Sequence, residues 1–206
     1  MSVIEEGVTY YPFETKQNKP FKVNDNGVER TIWESRSMAA AIFVFTKDKD
    51  GYWRVLANKR GKGCPDYVGY WVCPCGYLDY NETLRNAAYR ECFEETGVRL
   101  FEQNIKHYKF TDSPTENLQN VAHIHYIVVD NGFDFVFSKK NNEADEVDEI
   151  AWIRLDLLNN FKWAFNHKNI IREVFDMRIN LPWWKKQILK LYDKYLSPES
   201  AKIYCD

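Results

Sequence analysis

Three glutamates, Glu91, Glu94 and Glu95, stand beside Arg90 in the stretch that runs from Gly76 to Val98. From Asn81 onward this stretch has the marks of a helix: a capping Asn81, an acidic Glu82 in the first turn, and Gly97 placed to stop it. At about 100° of rotation per residue, Leu84, Ala87, Ala88 and Cys92 form one small apolar face suited to a core. Glu91 and Glu95 rise from the middle of that face and Glu94 from its edge. Desolvating unpaired carboxylates costs on the order of several kcal/mol or forces them to take up protons. Arg90 can compensate one of them, which leaves a surplus of negative charge. A hard divalent cation answers that surplus, because Mg²⁺ prefers oxygen ligands, keeps several waters and couples carboxylates to a substrate phosphate. The alternative is a solvated Glu-rich surface face, and the apolar setting speaks against it.

The order Gly76, Glu82, Arg90, Glu91, Glu94, Glu95, Gly97 and Val98 resembles the Nudix box, a loop-helix-loop that binds magnesium and hydrolyses nucleoside diphosphates linked to another group. Every fixed polar and glycine position of that pattern is matched. Cys92 stands where a bulky aliphatic residue is usual, and Pro74-Cys75-Gly76 replaces a common Pro-Gly-Gly. The resemblance can be traced from about Trp33 to Trp152. It implies a Nudix-type α/β/α sandwich with a mixed sheet. It also implies metal ligands at Gly76, Glu91, Glu94 and Glu95, with Arg90 holding the glutamates and Glu82 in a supporting role.

Composition bounds the alternatives. A chain of 206 residues, 45% hydrophobic and 28% charged, buries a substantial core and suits one domain with additions. Its net charge of -2 offers no general attraction to nucleic acid or anionic membranes, so neither is expected as a partner. No apolar run is long enough for a spanning helix and the first residues lack a signal-peptide pattern, so a cytoplasmic location is expected. The five cysteines show no pair of C-x-x-C motifs, which argues against a structural zinc site and for free thiols.

Other elements must position the glutamates. Val8 to Tyr11 reads as a short strand, and Asn24-Asp25-Asn26-Gly27 as a turn. Residues 1–30 are therefore an extension, either a hairpin or a dimer arm. Met38 to Thr46 is an apolar run of strand length, and Asp48 to Gly51 turns it into a second strand from Trp53 to Lys59. The basic, glycine-containing segment Lys59 to Gly63 is either a surface loop or an anion-contacting loop, with Arg60 the candidate contact. After the box, Lys106 to Phe110 and Val121 to Asp130 are strand-like. The second carries His123 and His125 on one face, either as a partial zinc pair or as histidines of the substrate pocket or sheet face. We take His125 as a candidate substrate contact. Pro114 lies in the loop between these strands, and the resemblance makes it a pointer toward ADP-ribose-cleaving members; local turn geometry explains it equally well.

The acidic run Glu143 to Glu149 precedes a strand at Ile150 to Ile153. The resemblance makes Glu146, or else Glu143, a general base facing the metal, unless Glu91 or Glu94 takes the proton. Beyond it, Asp156 to Phe161, Asn166 to Met177 and a segment opened by Pro182 and running to Leu196 read as helices. The expected layout is an extension over residues 1–30, a hydrolase domain over 31–160 and a helical extension over 161–206.

The reaction that the resemblance implies is Mg²⁺-dependent cleavage of a phosphoanhydride, with Mn²⁺ as a substitute. The expected substrate is ADP-ribose or a related nucleotide sugar; the alternatives are a nucleoside triphosphate and a dinucleoside polyphosphate or RNA end. A non-catalytic sensor of a nucleotide metabolite is the alternative of another class. A small nucleotide derivative is the expected partner, and a homodimer is an open arrangement.

Overall fold

The computed structural model describes residues 3–5, 8–10, 20–33, 35–101, 104–113, 120–138, 145–182 and 184–188. The chain forms two compact units, Met1–Ser37 and Met38–Asp206. In the first, β1 (Val3–Glu5) pairs antiparallel with β2 (Val8–Tyr10), and β3 (Pro20–Asp25) with β4 (Val28–Trp33). The β3–β4 turn has Asn26 and Gly27 at φ 53° and 86°, two left-handed residues in succession, as a tight right-twisted hairpin requires. The side chain of Asn24 accepts the Gly27 N–H at 2.7 Å. The expected turn and strand are both present, in two antiparallel strand pairs among the described residues.

The second unit is built on a seven-stranded sheet. Its strands are β5 (Ser37–Lys47), β6 (Trp53–Arg60), β7 (Trp71–Val72), β8 (Cys75–Tyr77), β9 (Lys106–Thr111), β10 (Asn120–Val128) and β11 (Val147–Arg154). The main path runs β11-β6-β5-β10-β9. β5 is buried on both faces, which is why its sequence is an unbroken apolar run rather than an alternation.

Among the described residues, an α-helix packs on each face. On one side, α1 (Leu84–Thr96) sets Ala87, Ala88 and Cys92 in a core with Ile42, Val44 and Leu56. On the other, α2 (His167–Val174) sets Ile170, Ile171 and Val174 in a core with Phe43, Phe45 and Val55. The result is the expected α/β/α sandwich.

Two strands open the space for the site. β5 pairs with β6 through Phe45 to Lys47 but with β8 through Ala39 to Ala41. β6 meanwhile pairs with β7 at Asn58 and Lys59. The short β7–β8 segment thus fills the gap where β5 and β6 part, and it carries Gly76 into the sheet.

The helix boundaries correct three expectations. α1 is capped by Thr83, not Asn81: the Thr83 hydroxyl accepts the Asn86 N–H at 3.2 Å, and Glu82 lies ahead of the helix rather than in its first turn. Asn81 yields because the Glu82 carboxylate instead accepts the Asp79 N–H at 2.9 Å, fixing a tight loop there. Gly97 ends the helix as expected, at φ 77° with its N–H on the Phe93 carbonyl. The segment at Leu155–Asn160 is a 3-10 helix, and α2 runs on into a π-helical turn, Phe175–Ile179, closed by the Asn180 N–H on the Phe175 carbonyl at 2.7 Å. Of the helix expected from Pro182, residues 184–188 are helical and those from Leu189 lie outside the described residues.

Candidate active site

Glu91 and Glu95 are buried, 7% and 8% exposed, as their place on the apolar face of α1 requires. Arg90 gathers the carboxylates around them. Its Nη1 donates to Glu91 at 2.7 Å and to Glu94 at 2.8 Å, and its Nη2 donates to Glu82 at 2.7 Å and to the Tyr77 carbonyl at 2.9 Å. From sequence, Arg90 is expected to compensate one glutamate; the guanidinium fork reaches three, because Glu82 is brought back by the loop. The Glu82 hydrogen bond is the main cause of the raised Arg90 pKa, and the same bond holds the Glu82 carboxyl below its ordinary value. Glu95 accepts the Cys75 N–H at 3.2 Å, which ties α1 to β8 from the other side.

Gly76 lies against the Glu91 carboxylate. A β-carbon at Gly76 would stand 2.2 Å from Oε1 and 2.6 Å from Oε2 of Glu91. Only glycine leaves that approach open.

A cavity of about 1140 Å³ opens on these groups. Glu91, Glu95 and Gly76 form part of its wall; Arg60, Glu146 and His167 form another part. Glu146 is exposed, and its loop is pinned to the Arg60 loop by main-chain contacts: the Gly61 N–H donates to the Glu146 carbonyl at 2.6 Å and the Gly63 N–H to the Asp145 carbonyl at 2.7 Å. Arg60 is held by the Asp66 carboxylate at 2.7 Å and lies over the Phe165 ring at 5.0 Å. Thus the basic loop and the acidic loop, distant in sequence, meet at one cavity.

Not every expected residue is there. His125 points away from that cavity, and together with His107 and His123 it lines a second one of about 520 Å³ beside the start of α1. The strand alternation explains this: Ile124 and Ala122 face the large cavity, which turns His125 to the opposite side. Glu82 and Glu94 are bound to Arg90, which itself lines the cavity. Pro114 and Glu143 lie outside the described residues. Sequence reading missed His167, which enters the cavity from α2; a lone histidine after Asn166 carries no signal of its own.

The residues suit a hard cation by chemistry. All the acidic side chains at the site offer oxygen, two of them are buried, and Gly76, lacking a side chain, admits the Glu91 carboxylate against the strand. Among the described residues, no group of three His, Cys, Asp or Glu already converges as a metal centre; Arg90 holds the glutamates instead. Burial pushes the thiols of Cys73 and Cys75 well up, away from the thiolate form that a nucleophile needs.

The fold has counterparts among known proteins. The model of the NUDIX domain matches residues 35–174. The NUDIX domain of Shewanella oneidensis NrtR, solved in complex with ADP ribose, superposes with a TM-score of 0.60 at 17% identity, over 69% of this chain and 88% of that one. A MutT/nudix family protein from Enterococcus faecalis gives 0.59 at 20% identity, over 82% and 77%. A bifunctional NMN adenylyltransferase/ADP ribose pyrophosphatase from Francisella tularensis, complexed with AMP and a manganese ion, gives 0.56 at 21% identity; the match covers 69% of this chain and 42% of that longer one. At these identities the likeness is one of fold. No helix among the described residues is long and apolar enough to cross a membrane.

Proposed function

Since the chain belongs to the Nudix family, we propose that it hydrolyses the phosphoanhydride bond of a nucleoside diphosphate linked to a second group, with Mg²⁺ as cofactor. The observation that carries this reading is the pair of buried carboxylates, Glu91 and Glu95, at the wall of a cavity large enough for a nucleotide derivative. Glu91, Glu94 and Glu95, with the Gly76 carbonyl, would hold the cation, and Mn²⁺ would substitute for it. When bound, such a cation supplies charge neutralisation on the diphosphate and a lowered pKa for water.

The chain's own residues do the rest. Arg90 holds two of these ligands, Glu91 at 2.7 Å and Glu94 at 2.8 Å, and the Cys75 N–H holds Glu95 at 3.2 Å, so the ligand set is oriented before substrate arrives. Glu82 holds Arg90 in turn. Glu146, exposed at the cavity wall, takes the proton from the attacking water at its carboxylate. Arg60 faces the same cavity with a fixed positive charge, suited to the substrate's phosphates.

For the substrate we propose ADP-ribose or a related nucleotide sugar. Two proteins of the same fold support it: the NrtR domain was solved with ADP ribose bound, and the Francisella protein is a bifunctional NMN adenylyltransferase/ADP ribose pyrophosphatase. Nucleoside triphosphates and dinucleoside polyphosphates share the diphosphate that the glutamates would engage. Incubation with each class in Mg²⁺, with mass analysis of the products, tests the reading: AMP and ribose 5-phosphate from ADP-ribose support it, whereas pyrophosphate from triphosphates would replace the substrate and keep the site.

A further inference from the structure

His167 is a buried histidine with no part in the hydrolysis proposed for the glutamates and Glu146. It opens α2, is 4% exposed, and lines the large cavity beside Phe165 and Arg60. Its Nδ1 accepts the backbone N–H of Cys73 at 3.0 Å. A backbone N–H only donates, so Nδ1 must present its lone pair and the ring proton must sit on Nε2. The tautomer is therefore set by the fold. Burial supports the same state, since the imidazole is pushed down to about 3 and stays neutral.

The ring cannot turn over without losing that bond. Phe43 packs on it with ring centroids 5.1 Å apart, and Phe165 with centroids 5.9 Å apart. Phe165 and Asn166, just before it, both adopt left-handed backbone, at φ 52° and 62°. For a bulky aromatic this conformation is strained, and strain of that kind persists where a surrounding structure holds it. The strained pair delivers the imidazole to the strand end at Cys73, two residues before the Cys75 N–H that holds Glu95.

We propose that His167 is a substrate-binding donor, its Nε2–H presented to an anionic phosphate oxygen of the nucleotide derivative beside Arg60. This rests on the reading of the chain as a hydrolase. Arg60 brings charge and His167 brings direction: a fixed neutral N–H offers one hydrogen bond along one line, and no acceptor on the same ring competes for the site.

The test uses ¹⁵N-histidine-labelled protein in chelator, so that nothing turns over, titrated with ADP-ribose, AMP and inorganic pyrophosphate. His167 should show a lone-pair Nδ1 and a protonated Nε2 between pH 5 and 8, and the Nε2–H signal should move on ligand addition. Two variants separate binding from folding. His167→Asn places an acceptor where Nδ1 was and removes the cavity donor; it should raise KM about tenfold and change kcat less. His167→Gln returns an amide N–H near the Nε2 position and should recover most of that loss. A protonated Nδ1, an unmoved Nε2–H while another part of the protein reports binding, or an unchanged KM in His167→Asn would overturn the assignment alone. Failure of the wild type to bind any of the three ligands, both in chelator and with a divalent cation restored, would overturn it together with the hydrolase reading.

Discussion

Gly76 and Glu91 are placed so that the absence of a side chain on one makes room for the carboxylate of the other: a β-carbon at Gly76 would lie 2.2 Å from Glu91 Oε1. The contact joins β8 to α1 at the floor of the cavity, and it comes about because the β7–β8 segment fills the gap between β5 and β6. Gly76→Ala should therefore act on catalysis by displacing Glu91. A misplacement of this kind costs on the order of 100-fold in turnover. Steady-state kinetics beside a melting curve check this, and a variant with wild-type turnover would contradict the role given to the approach.

Glu95→Gln keeps the shape of the side chain and an oxygen to accept the Cys75 N–H, while removing one anionic ligand. The melting temperature should stay near that of the wild type, and turnover should fall by about 100-fold or more. Wild-type turnover would sink the assignment of Glu95 to the metal.

Arg90→Gln leaves Glu91, 7% exposed, without its guanidinium partner. Breaking a fully buried ion pair from one side costs roughly 3 kcal/mol or more, and this part-buried pair should lose about 1–3 kcal/mol because the Glu91 charge stays largely desolvated. Denaturant unfolding should show that loss in chelator and a smaller loss in millimolar Mg²⁺, because the cation neutralises the same carboxylates. Equal losses in the two conditions would separate Arg90 from the metal site.

Stability should fall as pH drops below the ordinary histidine value. Burial depresses His167 to about 3 and His125 to about 4, against 6.5 for an unperturbed imidazole. Below pH 6.5 the unfolded chain binds protons that the folded chain refuses, so the equilibrium moves toward unfolding as acid is added. Each such histidine contributes at most about 1.4 kcal/mol per pH unit until its folded pKa is reached. Unfolding free energy measured between pH 7 and 4 should show this slope, and His125→Asn should flatten it; an unchanged slope would contradict the buried neutral state.

The carboxylate side of the site is the more legible part in sequence. Glu91, Glu95 and Gly97 announce themselves because a charged residue on an apolar helix face, and a glycine at a helix end, are local conflicts or local signals. The helix start is ambiguous, since Asn81 and Thr83 are both good caps and only the Glu82 loop decides between them. His125 lines the second cavity rather than the first because the face a strand residue takes depends on its register, which single-sequence patterning does not give for a strand buried on both sides. His167 is invisible for a different reason. Its role depends on a hydrogen bond to Cys73, a residue distant in sequence, and on a left-handed turn at Phe165 and Asn166 that no side-chain pattern foretells.

If the carboxylates on α1 serve a divalent cation in cleaving a phosphoanhydride, activity must track that cation. The most direct measurement monitors ADP-ribose, other nucleotide sugars, nucleoside triphosphates and dinucleoside polyphosphates by mass, in Mg²⁺ and then in chelator. We expect cleavage at a phosphoanhydride in Mg²⁺, its loss in chelator, and its return when Mg²⁺ is restored. Undiminished cleavage in chelator, or binding of a nucleotide with no turnover under any divalent cation, would contradict the account.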